Sequence, residues 1–90
     1  MLKTINPDNE LIEICKKIKS ENKGNVEWDL VESDDYFQTP NYSGGWDATE
    51  QAFCFDYYDE KQEYWFQLTL NQVDQINNKE LDKIVMRTPT

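Results

Sequence analysis

Residues 52–68 read AFCFDYYDEKQEYWFQL, and this stretch decides the fold. Two runs rich in aromatic residues flank Asp59, Glu60, Lys61 and Gln62, the pattern of two strands joined by a short connection. With Tyr58 opposite Glu63, Tyr57 falls beside Tyr64, Phe55 beside Phe66 and Phe53 beside Leu68. Both strands then agree on one apolar face. A slip of one residue would destroy that agreement, because successive side chains point to opposite sides of a strand. The other face carries Cys54, Asp56, Tyr58, Glu63, Trp65 and Gln67.

Beyond the hairpin, Thr69 with Gln72 three residues later forms a capping-box pattern, and Val73 and Ile76 follow at helical spacing. A helix is therefore expected to start directly after the second strand. Asn77 and Asn78 interrupt it, and Leu81, Ile84 and Val85 continue an apolar stripe. That stripe predicts either one bent helix or two short ones with Asn78 capping the second. The tail from Arg87 to Thr90 is expected to fray.

Before the hairpin, residues 33–51 lose all periodicity and gather Pro40, Gly44 and Gly45, which predicts a long loop. Its Tyr36, Phe37, Tyr42 and Trp46 are too apolar to stay in water, so the loop should pack across the sheet. Residues 26–32 alternate, with Val26, Trp28 and Leu30 on one side, as in a half-buried strand. Further back, Asn6 and Pro7 suit a helix start and Gly24 its end. Leu11, Ile14, Cys15 and Ile18 recur at three- and four-residue steps between them, with Glu13, Lys16, Lys17 and Lys19 on the wet side. The sum is an α+β fold, one small domain over residues 1–90 in the order α-β-β-β-α. Its three-stranded antiparallel sheet carries the helices on one face. Trp28, Phe53, Phe55, Phe66 and Leu68 form its core. Cys15 then lies under the sheet and Cys54 above it, which forbids a disulfide between them.

Ninety residues hold one modest core, with a stability of roughly 5 to 10 kcal/mol. Apolar residues make up only 38%, but twelve aromatics compensate by the area each can bury, so the chain reads as folded. Its charge is unevenly placed: eleven of the eighteen acidic residues lie between Glu27 and Glu63, against the single Lys61. A net charge of −9 argues against direct binding to nucleic acid or anionic membranes, which attract basic surfaces. No stretch resembles a signal peptide or approaches the roughly 20 apolar residues of a membrane span, so a cytoplasmic location is expected. Two cysteines fit free thiols in a reducing compartment.

The chain has no histidine, which removes the commonest general base, the usual triads and most zinc sites. Asp34 with Asp35, and Asp59 with Glu60, are adjacent carboxylates without calcium-loop spacing, and neighbours on an extended chain point apart. The glycine pair at 44–45 lacks the lysine of a phosphate loop. No enzyme, cofactor or metal is expected.

What remains is a patch both acidic and aromatic, which suits a basic partner protein because complementary fields speed the encounter and aromatic anchors supply contact energy. The expected function is that of a small acidic binding module, most sharply an inhibitor or immunity-type antagonist that occupies the basic surface of a nucleic-acid-binding protein. Asp34, Asp35, Asp47, Asp56, Asp59, Glu60 and Glu63 supply the carboxylates, with Glu27, Asp29 and Glu32 beside them. Tyr58 and Trp65 either serve as anchors or lie under the 33–51 loop. Carboxylates can stand in for phosphates because Arg and Lys recognise both through charge-assisted hydrogen bonds. Two alternatives use the same residues differently: a homo-oligomer or accessory subunit joined through the aromatic face, and a small-ligand domain roofed by Tyr36, Tyr42 and Trp46.

Overall fold

The computed structural model of the chain describes residues 2–20, 36–47 and 49–89. The strand expected over 26–32, with Trp28, and the acids from Glu27 to Asp35 lie outside the described residues. In chain order the elements are β1 (Leu2–Ile5), α1 (Asn9–Ser20), β2 (Tyr36–Gln38), β3 (Tyr42–Asp47), β4 (Ala52–Tyr58), β5 (Glu63–Leu68), α2 (Leu70–Asn77) and β6 (Ile84–Arg87). All six strands join one antiparallel sheet in the order β1-β6-β5-β4-β3-β2.

The β4–β5 hairpin has the expected register: Tyr58 faces Glu63, Tyr57 faces Tyr64, Phe55 faces Phe66 and Phe53 faces Leu68. The capping box is also present. Thr69 Oγ1 accepts from the Gln72 amide at 3.2 Å, and Gln72 Oε1 accepts from the Thr69 amide at 2.9 Å. Both helices lie on the face of Phe53, Phe55 and Phe66. Leu11, Ile14, Cys15 and Ile18 of α1 join Val73 and Ile76 of α2 in one cluster with the aromatic ladder. Phe55 stacks on Phe66 with ring centroids 5.4 Å apart, and Trp46 meets Phe53 edge-on at 5.0 Å. Such pairs each add about 0.5–1.5 kcal/mol beyond the area they bury. Cys15 is buried beneath the sheet, Cys54 is half-buried on the other face, and both are free thiols.

The α+β class holds, but among the described residues the order is β-α-β-β-β-β-α-β and the sheet has six strands, not three. Within the described part of the expected 33–51 loop, Tyr36–Gln38 and Tyr42–Asp47 are the strands β2 and β3, turned at Pro40 and Asn41 where the Thr39 amide donates to the Tyr42 carbonyl at 2.8 Å. Gly44 misleads because it marks a close approach and not a turn. A Cβ there would stand 2.0 Å from the Cys54 carbonyl oxygen on β4. The segment therefore extends the sheet sideways, and Tyr42 and Trp46 enter the core from β3.

The stripe at Leu81, Ile84 and Val85 is not helical. α2 ends at Asn77, Lys79 turns the chain with a φ of 60°, and Ile84–Arg87 runs extended between β5 and β1. Ile84 and Met86 point to the core, so a period of two explains the burial where a helical step also fitted the spacing. Arg87 is part of that strand and not a frayed end.

α1 starts at Asn9, capped by Asp8, whose Oδ1 accepts from the Leu11 amide at 2.8 Å. Asn6 and Pro7 instead lie in the connection between β1 and α1. The other carboxylate oxygen of Asp8, Oδ2, accepts from the Tyr42 hydroxyl at 2.9 Å, which ties the start of α1 to β3. Burial, reinforced by this carboxylate, raises the Tyr42 phenol far above its ordinary range.

Candidate functional site: the open sheet face and the hairpin tip

The antiparallel registers line up one row of residues across every strand: Gln38, Ser43, Asp56, Trp65, Arg87 and Leu2. The row runs along the face opposite the helices. Trp65 sits between an acid on one neighbouring strand and a base on the other. It is half-buried, with the Arg87 guanidinium 5.6 Å from its ring centroid, inside the usual range of a cation–π contact. A dent of about 200 Å³ opens where Trp65 and Gln67 meet Val85 and Arg87. Val85, 57% exposed, and Leu2, 65% exposed, extend the apolar surface to the sheet edge.

Toward the β4–β5 tip the same face carries Tyr58 opposite Glu63. Tyr58 is 43% exposed, and its hydroxyl stands 3.5 Å from Ser43 Oγ. Asp59 and Glu60 form the tip. Asp59 accepts from the Lys3 ammonium and, at 2.7 Å, from the Glu60 amide. The Lys3 ammonium and then the Glu60 amide hold the Asp59 carboxyl below the usual carboxylate range. Lys3 in turn is raised, first by its hydrogen bond to Asp59.

The expected site residues therefore separate into groups. Asp56, Tyr58, Glu63 and Trp65 share the open face, with Asp59 and Glu60 at its end. Asp47 lies about 20 Å away along β4, at the opposite end of the sheet. There its Oδ1 accepts from the amides of Thr49 at 2.9 Å and Glu50 at 3.2 Å, so it shapes the β3–β4 turn. Tyr58 and Trp65 are not roofed by residues 36–47, which continue the sheet in its own plane. The ligand roof of Tyr36, Tyr42 and Trp46 is also ruled out, because Tyr42 and Trp46 are core residues. Open grooves of about 460 and 510 Å³ run instead along α1, beside Ile12 and Leu81 and beside Phe37.

Three participants escaped sequence reasoning. Arg87 joins the row through β6, and Lys3 reaches the tip through β1, both strands too short to show their alternation. Tyr64 pairs with Tyr57 as expected, but its ring also faces a cation, which pairing alone does not disclose.

Neither thiol is poised as a nucleophile: burial pushes Cys15 up to about 12, and burial likewise raises Cys54, against a weak Gln67 contact at 3.5 Å. Among the described residues no group of three or more acidic or thiol side chains is arranged to hold a metal ion, and no helix is long and apolar enough to cross a membrane. Compared with known proteins, the chain matches no family model, no curated protein and no solved structure.

Proposed function

We propose that this protein is a small acidic binding module that seats the open face of its sheet on a basic surface of a partner protein. In its sharpest form it is a cytoplasmic inhibitor or immunity-type antagonist of a nucleic-acid-binding protein, with carboxylates placed where phosphates would lie. It acts by occupancy and not by catalysis. The observation that carries this reading is Trp65, a large aromatic held at the middle of a sheet face that neither helix covers, with Asp56 beside it and Tyr58, Glu63 and Glu60 toward the tip. Tryptophan and tyrosine surrounded by polar groups are the usual makings of an interface hot spot. The exposed acids add reach and discrimination more than affinity.

The test compares the wild type with Asp56→Asn/Glu60→Gln/Glu63→Gln and with Trp65→Ala as baits in lysate of the native host, washed at low and then high salt. The expected result is one basic protein that wild type retains at low salt and releases at high salt. The neutralised bait loses it, and Trp65→Ala binds it at least tenfold more weakly, which corresponds to about 1.4 kcal/mol. A partner indifferent to all three acids would leave them as solubilising groups and overturn the proposal.

The competing reading, a homo-oligomer, draws on the same row, because Asp56 and Arg87 flank Trp65 with opposite charges and a twofold pairing can set one against the other. Sedimentation separates the two: the antagonist is monomeric alone, and the oligomer is not.

A further inference from the structure

Near the tip of the β4–β5 hairpin, the chain's own Lys3, from β1 at the sheet edge, sits inside a small cation cage. Its ammonium lies 5.1 Å from the Tyr64 ring centroid and 5.8 Å from that of Tyr57, and it is hydrogen-bonded to Asp59. Tyr57 and Tyr64 are cross-strand partners whose ring centroids stand 6.4 Å apart, so the two π faces and the carboxylate make three walls around one charge. Aromatic faces with a nearby carboxylate are the standard chemistry for holding alkylammonium groups.

The two aromatic walls are anchored independently of their occupant, and the Glu60 amide holds the third, Asp59, besides Lys3. Tyr64 is 8% exposed and belongs to the core cluster, and Tyr57 packs against fully buried Tyr42 with centroids 5.1 Å apart. The occupant is held less firmly: the Lys3 side chain is 31% exposed and comes from an edge strand with no buried residue. The mouth therefore opens to solvent, and emptying the cage requires a change of Lys3 rotamer while the sheet stays intact.

We infer that the Tyr57–Tyr64–Asp59 corner is a binding site for an alkylammonium group, in nature a lysine side chain of the partner, which Lys3 occupies as an intramolecular competitor. It shares the hairpin tip with Glu60 and Glu63. It depends on the basic-partner reading only for the identity of the natural ligand. A tethered competitor acts at a high effective concentration, so the native protein should show the site only weakly until Lys3 is displaced.

The test is made on the isolated protein with butylammonium chloride, using sodium chloride at equal ionic strength as the control and the NMR ring signals of Tyr57 and Tyr64 as the readout. The Tyr58 ring, exposed and on the other face, serves as the internal control. Lys3→Met, which keeps the stem and removes the charge, should show saturable shifts at the two cage rings. The wild type should bind at least tenfold more weakly, and Lys3→Met/Asp59→Asn should lose most of the affinity. Equal responses with sodium, or equal shifts at Tyr58, would overturn the site. Should Lys3→Met lose the β1 amide signals, the wild-type Lys3 ε-methylene resonances decide instead. Ring currents shift them upfield, and butylammonium must move them toward the values of a free lysine; no movement refutes the inference. Failure here leaves the open-face reading standing, because that test uses other residues and a protein partner.

Discussion

On β4, Phe53 and Phe55 are 0% and 2% exposed, whereas Cys54, Asp56 and Tyr58 on the same strand face the other way and remain in contact with water. Backbone, pairing and register are common to both sets. Among the described residues the difference lies in what covers them: two amphipathic helices on one side, and on the other neighbouring side chains such as Arg87 over Trp65. On the proposed reading of the open face, its contacts can be altered with little effect on the core that the same ladder supports on its other side.

The strongest way to break that comparison is a matched pair of truncations followed by urea melts. Phe55→Ala should cost about 3–5 kcal/mol, a large share of a total near 5–10 kcal/mol. Trp65→Ala should cost about 1 kcal/mol. Equal losses would mean that Trp65 is core, and the open face would cease to be a candidate surface.

Next comes Gly44→Ala, expected to cost about 3 kcal/mol or more, because the new methyl meets the β4 backbone and no flexible side chain that could yield. Hydrogen exchange should show β2 and β3 opening first. Thr69→Ala, which removes the cap that directs α2 onto the core face, should cost about 1 kcal/mol with the hairpin amides still protected.

Lys3→Met should have the smallest effect, with a distinctive pH signature. The Asp59 carboxyl is lowered in the folded state, so its contribution is full above the unfolded value near pH 4 and is lost as pH falls through the lower folded value. Wild type and variant melts should therefore converge in acid and differ at neutral pH; a difference that persists in acid would assign the effect to packing. One check needs no substitution. A thiol reagent should label Cys54 slowly in the native protein and Cys15 only after denaturation, and equal native rates would mean the helical layer does not shield its face.

The hairpin was legible because the residues of two long strands had to satisfy a single register, and every aromatic pair voted the same way. The capping box was legible because its chemistry is local. β1 and β6 were not. A short run such as Ile84-Val85-Met86-Arg87 fits helical and extended spacing equally, and only the free edge of β5 decides between them. β3 did carry a signal, since Tyr42, Gly44 and Trp46 alternate, but its central position is a glycine whose reason lies on another strand. At the candidate site, the open-face members Asp56, Tyr58, Glu63 and Trp65 followed directly from the hairpin register. Arg87 and Lys3 did not, because each arrives on a strand defined by partners distant in sequence.

From β2 to β6 each strand is laid beside the one before it, so the sheet can grow by local steps with little loop-closure cost. β1 is the exception: Ile5 pairs with Ile84, almost the full described chain away. Its docking is therefore expected to form late and to be lost early, with the N-terminal edge outside the folding nucleus. Substitutions in β1 should accordingly speed unfolding while leaving the folding rate nearly unchanged.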